Sequence, residues 1–123
     1  MANYTKGKAV QLSKNFKSTE FDCKCSKCKT TVIDSELVTL LQKIRDHFGK
    51  AVTINSGYRC SSHNKEVGGA RNSQHVAGKA ADIVVKGINP AVVYQYADSI
   101  NVKGLGKYNS FTHVDTRSKR ARW

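Results

Sequence analysis

The segment "DSELVTLLQKIRDHFGK" sets the first limit on the fold. Leu37, Leu40, Leu41, Ile44 and Phe48 recur at helical spacing and form one apolar stripe. Asp34 or Ser35 can cap the start, and Gly49 is placed to end the helix. A lone helix of this length is marginal in water, so the stripe must be covered by another element. The next residues offer that cover. In "AVTINSGY", Val52 and Ile54 alternate with Thr53 and Asn55, the pattern of a half-buried strand. "SSHNKEVGG" reads as a short helix or turn that stops at Gly68-Gly69. "AADIVVK" is a second strand. "NPAVVYQYADSI" is a second helix, with Asn89 as cap and Pro90 at the first helical position. "GLGKYNS" reads as a glycine-bearing turn and "FTHVDTR" as a third strand. The sum is an α+β chain: a small antiparallel sheet with helices packed on one side.

The 123 residues suffice for a single domain, 1–123, with a modest core. Residues 1–30 read as a polar, basic arm, which Leu12, Phe16 and Phe21 anchor to the rest. No apolar run approaches the roughly 20 residues of a membrane span. "MANYTKGKAVQLSKNF" lacks the apolar core of a signal peptide, so the expectation is synthesis in the cytoplasm and export by other means. The formal charge of +12 points to a polyanionic partner. Aromatic residues are scattered and no nucleic-acid signature is present, which favours an anionic cell envelope over nucleic acid. The chain is expected to be a monomer.

Two strands carry charge where apolar residues would be cheaper. In "AADIVV", Ala80, Asp82 and Val84 share one face, and Ala81, Ile83 and Val85 share the other. A carboxylate buried among such neighbours is costly without a partner, and a cation resolves that cost. In "FTHVDTR", His113 and Asp115 share a face. His75 lies in the loop before Asp82. Two imidazoles and one carboxylate make a catalytic zinc set that leaves a fourth position for water. From spacing alone a second reading stands beside it, that His75 and His113 are unrelated histidines.

"SGYRCSSHNKEVGGARNSQHVAGKAADI" followed by "GLGKYNSFTHVDTR" resembles the zinc D-alanyl-D-alanine carboxypeptidase family. That family sits in a wider group with lysostaphin-type peptidases and the hedgehog domain. Its pattern is met here by Ser73, His75, Gly78, Ala80 and Asp82, then His113 and Asp115. "LSKNFKSTEFDCKCSKC" and the terminal "RARW" are similar to small phage and prophage members, so the resemblance spans nearly the whole chain. It implies a hedgehog/D-Ala-D-Ala metallopeptidase-like fold, with zinc on His75, Asp82 and His113. It implies a zinc peptidase cleaving stem or cross-link peptides of peptidoglycan, as a D,D-carboxypeptidase or an endopeptidase, in the setting of a phage endolysin.

The resemblance also assigns roles. Arg59, the arginine of "SGYR", would hold the substrate carboxylate or orient the carbonyl, because a guanidinium can give two parallel hydrogen bonds. A structural salt bridge is its other reading. Ser73 would contact substrate, or only shape its turn. Several relatives place an acid or histidine three residues before the last ligand, where this chain has Ser110. Asp115 then either orients a ligand or serves as general base, and His63 is a further candidate. This gap keeps a non-catalytic, zinc-containing wall-binding module as the alternative function.

Cys23, Cys25, Cys28 and Cys60 are the only cysteines. Four thiolates suit a structural tetrahedral zinc, and the C-x-x-C step is typical spacing. Such a zinc would clip the arm to the loop beside Arg59. Disulfides formed after release, or free thiols, are the competing readings.

Overall fold

The computed structural model describes residues 1–123. In chain order the elements are β1 (Ala2–Thr5), a 3-10 turn (Ser18–Phe21), β2 (Thr30–Ile33), α1 (Ser35–Phe48), β3 (Val52–Ser56), α2 (Ser61–Glu66), β4 (Ala80–Val85), α3 (Pro90–Ser99), β5 (Gly104–Lys107), β6 (Thr112–Asp115) and β7 (Ala121–Arg122). The mixed α+β reading holds. Strands β1 and β2 pair antiparallel as a small separate sheet. The main sheet has the order β3-β4-β6-β5-β7.

The helix boundaries follow the local chemistry. The Asp34 carboxylate accepts from the Glu36 N–H at 3.3 Å and caps α1, and Gly49 closes it in the left-handed conformation, φ 64°. Asn89 caps α3 by accepting from the Ala91 N–H at 2.9 Å, with Pro90 in the first turn.

The main sheet has two unlike faces. One carries Ala81, Ile83, Val85, Leu105 and Val114, all buried against Leu37, Leu41 and Ile44 of α1 and Val93 and Ala97 of α3. Each large aliphatic side chain buried there contributes about 1.5–3 kcal/mol. The other face carries the polar row. Asp82 of β4 stands opposite His113 of β6, which stands opposite Gly106 of β5. In the next row Ala80, Asp115 and Gly104 align in the same way. A strand's period of two therefore sends the apolar residues to the helices and the metal-type ligands to the opposite side.

Three details differ from the sequence reading. "GLGK" is a strand and not a turn, because Leu105 packs in the core while Gly104 and Gly106 clear space on the polar face. The terminal "RARW" contributes β7, which pairs parallel to β5, so the sheet has one parallel edge. The basic arm folds partly into β1 on β2, a non-local pairing that no alternation announces. No helix is long and apolar enough to cross a membrane.

Candidate metal centre

His75, Asp82 and His113 come together on the polar face, with one ligand-type atom from each lying within 4.8 Å of the others. Each reaches the site from a different element. Asp82 and His113 stand on neighbouring strands. His75 sits in the loop before β4, where the Gly78 turn, φ 74°, carries the chain back to the strand. A Cβ on Gly78 would lie 2.5 Å from the Val32 carbonyl oxygen, so the turn has no room for another residue.

The hydrogen bonds orient both rings. His75 Nδ1 lies 2.7 Å from the Gly57 carbonyl oxygen and donates to it, which turns Nε2 toward Asp82 Oδ1 at 3.3 Å. His113 Nε2 lies 2.7 Å from Asp115 Oδ2, which turns Nδ1 toward Asp82 Oδ1 at 2.9 Å. Burial alone would raise the Asp82 pKa, but bonds from His113 and His75 outweigh it and bring it to about 2. Burial disfavours the His113 imidazolium, yet Asp115 and Asp82 outweigh that and raise its pKa. Two imidazole nitrogens and a carboxylate oxygen converging in a mostly buried place fit a zinc ion with one open position.

Asp115 lies behind His113 and is fully buried. Its Oδ2 accepts from His113 Nε2 and from Arg117 Nη2, each at 2.7 Å. Its Oδ1 accepts from the Arg117 backbone N–H at 3.1 Å and from Arg117 Nε at 2.9 Å. These bonds outweigh burial and hold the carboxyl below the usual carboxylate range. Both oxygens are occupied, and Asp115 does not line the cleft over the metal set. Gly104 makes its position possible, since a Cβ there would stand 1.9 Å from Asp115 Oδ1. A Gly104→Ala change is expected to displace Asp115 and lower zinc affinity at the His75–Asp82–His113 set about 10- to 100-fold, the usual effect of losing a ligand's supporting carboxylate. Competition titration with a chelator measures it, and unchanged affinity would show that Asp115 does not support the ligand.

A cleft of about 440 Å³ opens over the three residues. Arg59 and Ser73 line it, and Asp82 is its only carboxylate. Arg59 Nη1 donates to Asn64 Oδ1 at 3.2 Å, while its Nε is buried without a partner. Asn64, itself buried, donates to the Ala70 carbonyl at 3.0 Å. Sequence reasoning missed this support, and the glycine pair 68-69 was the available signal. A Cβ on Gly69 would come 2.0 Å from Asn64 Oδ1 and 2.9 Å from Arg59 Nη1. Ser73 Oγ accepts from the His75 N–H at 3.2 Å, a turn-making bond beside its place in the cleft wall. Ser110 is exposed and outside the lining. His63 is also elsewhere, sharing a second hollow with Cys25, Cys28 and Cys60.

Cys23, Cys25, Cys28 and Cys60 form a second cluster, all four as free thiols. The sulfurs lie 3.8 Å apart for Cys23–Cys60, 3.7 Å for Cys25–Cys60 and 3.2 Å for Cys25–Cys28. The Cys28 N–H donates to Cys25 Sγ at 3.3 Å and the Cys60 N–H to Cys23 Sγ at 3.4 Å. Bonds from Cys28, first its backbone N–H, and from the Lys27 N–H lower the Cys25 pKa to about 5. The Lys6 ammonium stands 3.7 Å from Cys25 Sγ and 3.6 Å from Cys28 Sγ, and also donates to the Cys25 carbonyl.

Known proteins resemble this chain in sequence. The chain is 32% identical over 108 residues to the peptidoglycan L,D-endopeptidase MepK of Escherichia coli K12, covering 80% of this chain and 58% of that protein. It is 36% identical over 72 residues to the probable peptidoglycan L,D-endopeptidase MepK of Haemophilus influenzae, covering 53% of this chain and 39% of the relative. It is 48% identical over 50 residues to the zinc D-Ala-D-Ala carboxypeptidase of Streptomyces albus G, covering 38% of this chain and 20% of that enzyme. The chain thus spans less than two thirds of the length of these relatives. The Peptidase M15 family model matches residues 14–115, a stretch that holds the whole His75–Asp82–His113 set, and the chain belongs to the peptidase M15 family.

Proposed function

We propose that residues 1–123 work as one domain, a zinc peptidase hydrolysing stem or cross-link peptides of bacterial peptidoglycan. The observation that carries this reading is the His75–Asp82–His113 set under a cleft that Arg59 also lines. Zinc held by these three residues would supply a Lewis acid and a bound water that ionises near neutral pH. The chain's own residues do the rest. Gly57 and Asp115 fix the two rings so that Nε2 of His75 and Nδ1 of His113 converge on Asp82 Oδ1, where the three would hold the metal. Arg117 keeps Asp115 ionised beneath His113, which makes Asp115 a positioning residue and not the proton acceptor. Arg59, held by Asn64 in the cleft wall, would offer its guanidinium to a substrate carboxylate, and Ser73 offers a hydroxyl on the same wall. The relatives' names cover both L,D and D,D bonds, which supports a peptide substrate from the wall more firmly than either bond. The charge of +12 supports attraction of a monomeric enzyme to an anionic envelope, as for a lytic enzyme of the endolysin type.

The metal set extends to a second, structural zinc on the four cysteines. A tetrahedron with zinc–sulfur bonds of about 2.3 Å has sulfurs about 3.8 Å apart. The Cys23–Cys60 and Cys25–Cys60 separations of 3.8 and 3.7 Å support that fit. Lys6 stands where it would offset the net negative charge of a zinc tetrathiolate.

One observation favours the second reading, a zinc-containing wall-binding module without turnover: Asp82 is the cleft's only carboxylate and Ser110 stands outside it. Digestion of defined cross-linked and uncross-linked muropeptides by the zinc-loaded chain separates the two. The expected result is new termini, read by mass spectrometry, that identify the bond. Unchanged muropeptides that nonetheless bind the chain saturably would replace the peptidase reading with the module.

A further inference from the structure

The two walls of the cleft differ in kind. One carries Arg59 and the polar turn that includes Asn72, Ser73 and Gln74; the other carries Tyr108, Phe111 and Trp123. Tyr108 and Phe111 stack with centroids 4.4 Å apart and planes 13° from parallel. Trp123 Nε1 donates to Tyr108 Oη at 2.8 Å. The indole lies 4.9 Å from the His113 ring, and the Arg117 guanidinium stands 5.0 Å from its centroid.

This wall is built and not incidental. The Trp123 N–H donates to the Leu105 carbonyl at 3.1 Å, and the Lys107 N–H donates to the Trp123 carbonyl at 2.7 Å. Arg122 Nε donates to Asp98 Oδ1 at 2.9 Å and fixes the tail from its outer side. A Cβ on Gly106 would stand 2.5 Å from Trp123 Nε1, so the strand glycine makes room for the indole. Yet Trp123 remains 45% exposed and Tyr108 41%. Rigid aromatic rings held open at the rim of a cleft, with polar tips already paired, are contact surface awaiting an apolar partner.

We propose that Tyr108, Phe111 and Trp123 form the subsite for the acyl side of the substrate, and that they take the aliphatic arm of the stem peptide's diamino acid. This rests on the peptidase reading above. The argument is one of direction. Arg59 follows β3 at one edge of the sheet and Trp123 follows β7 at the other, with Asp82 and His113 on the strands between. A peptide whose carboxyl side meets Arg59 must cross the metal set, so the residues before the scissile bond fall on the aromatic wall. In stem peptides the longest run of methylenes belongs to the diamino acid. It is the acyl residue itself in an L,D bond that follows it, and one residue further back in a D,D bond. Either bond brings the same arm to the same wall.

Trp123 is the only tryptophan, so its emission reports the wall directly. The zinc-loaded chain is titrated with a free stem tetrapeptide, the acyl product of a D,D cleavage that still holds the L,D bond, and with the same tetrapeptide carrying alanine or leucine in place of the diamino acid. Saturable change is expected with the parent and leucine peptides, and binding at least tenfold weaker with the alanine peptide. Tyr108→Ala, at an exposed position, is expected to reduce the parent peptide to the alanine level with zinc content and circular dichroism unchanged. Equal affinity for all three peptides overturns the subsite, as does an emission change with glycan fragments and none with peptides. If muropeptides are cleaved while the indole stays silent, the subsite alone is wrong. If nothing is cleaved and nothing binds, the peptidase reading falls with it.

Discussion

Replacing His75 with alanine is expected to remove one zinc per chain and to lower muropeptide hydrolysis by about 1,000-fold or more, a loss of roughly 4 kcal/mol of transition-state stabilisation. His75 is 3% exposed, and its Nδ1 is the partner of the Gly57 carbonyl. Truncation therefore leaves that carbonyl unsatisfied as well, at about 1–3 kcal/mol. A companion change separates the two effects. Asp82→Asn keeps the shape of the side chain and its place between the imidazoles, and removes the charge that draws the metal. Both variants are expected to fall from two zinc ions per chain to one, with Asp82→Asn keeping the far-ultraviolet circular dichroism of the parent. Hydrolysis within tenfold of the parent in a chain that has lost this zinc would end the assignment of His75, Asp82 and His113 as the reacting metal's ligands.

The second large effect belongs to the cysteines. Cys23→Ser is expected to lose the other zinc, leave the His75–Asp82–His113 metal in place, and lower the melting temperature by about 10 °C or more. A preformed thiolate site does not exist in the unfolded chain, so zinc bound there contributes its binding energy to folding, as much as about 10–16 kcal/mol in small zinc domains at neutral pH. Even about 3 kcal/mol of that, spread over a domain of this size, moves the midpoint by the stated amount. Cys23 is the buried member of the four and joins the arm to Cys60, next to Arg59. Calorimetry with metal analysis on the same sample checks both numbers. An unchanged melting temperature with two zinc ions still bound would mean that Cys23 is no ligand.

The parts of the molecule that were legible in the sequence are the ones whose causes are local. The apolar stripe of α1, its Asp34 cap and its Gly49 stop all lie within one stretch of chain, and so do Asn89 and Pro90 at the start of α3. The strand alternation around Asp82 and His113 likewise told which face each residue takes, and the structure brings these two and His75 together. What was hidden depends on distant partners. Gly104 and Gly106 carry the local mark of a turn. Their purpose is set by Asp115 and Trp123, which only the folded sheet puts beside them. The clamp of Asn64 on Arg59 is closed by a third party, the backbone at Ala70, and no spacing rule contains it. His63 stood near the zinc motif in sequence, but α2 carries it to the cysteine side.

The row formed by Gly106, His113 and Asp82 lies on the reverse side of the same strands that bury Leu105, Val114 and Ile83. If β6 slipped by one residue against β4, His113 and Asp115 would be driven in among the helices and Thr112 and Val114 turned out toward the cleft. The core would reject that arrangement before any metal could. Packing on one side of the sheet thus proofreads the chemistry on the other, and a chain that has folded at all has already aligned its ligands to within one pleat. Loops at either edge are then free to diverge, changing which peptides are accepted without putting the register at risk.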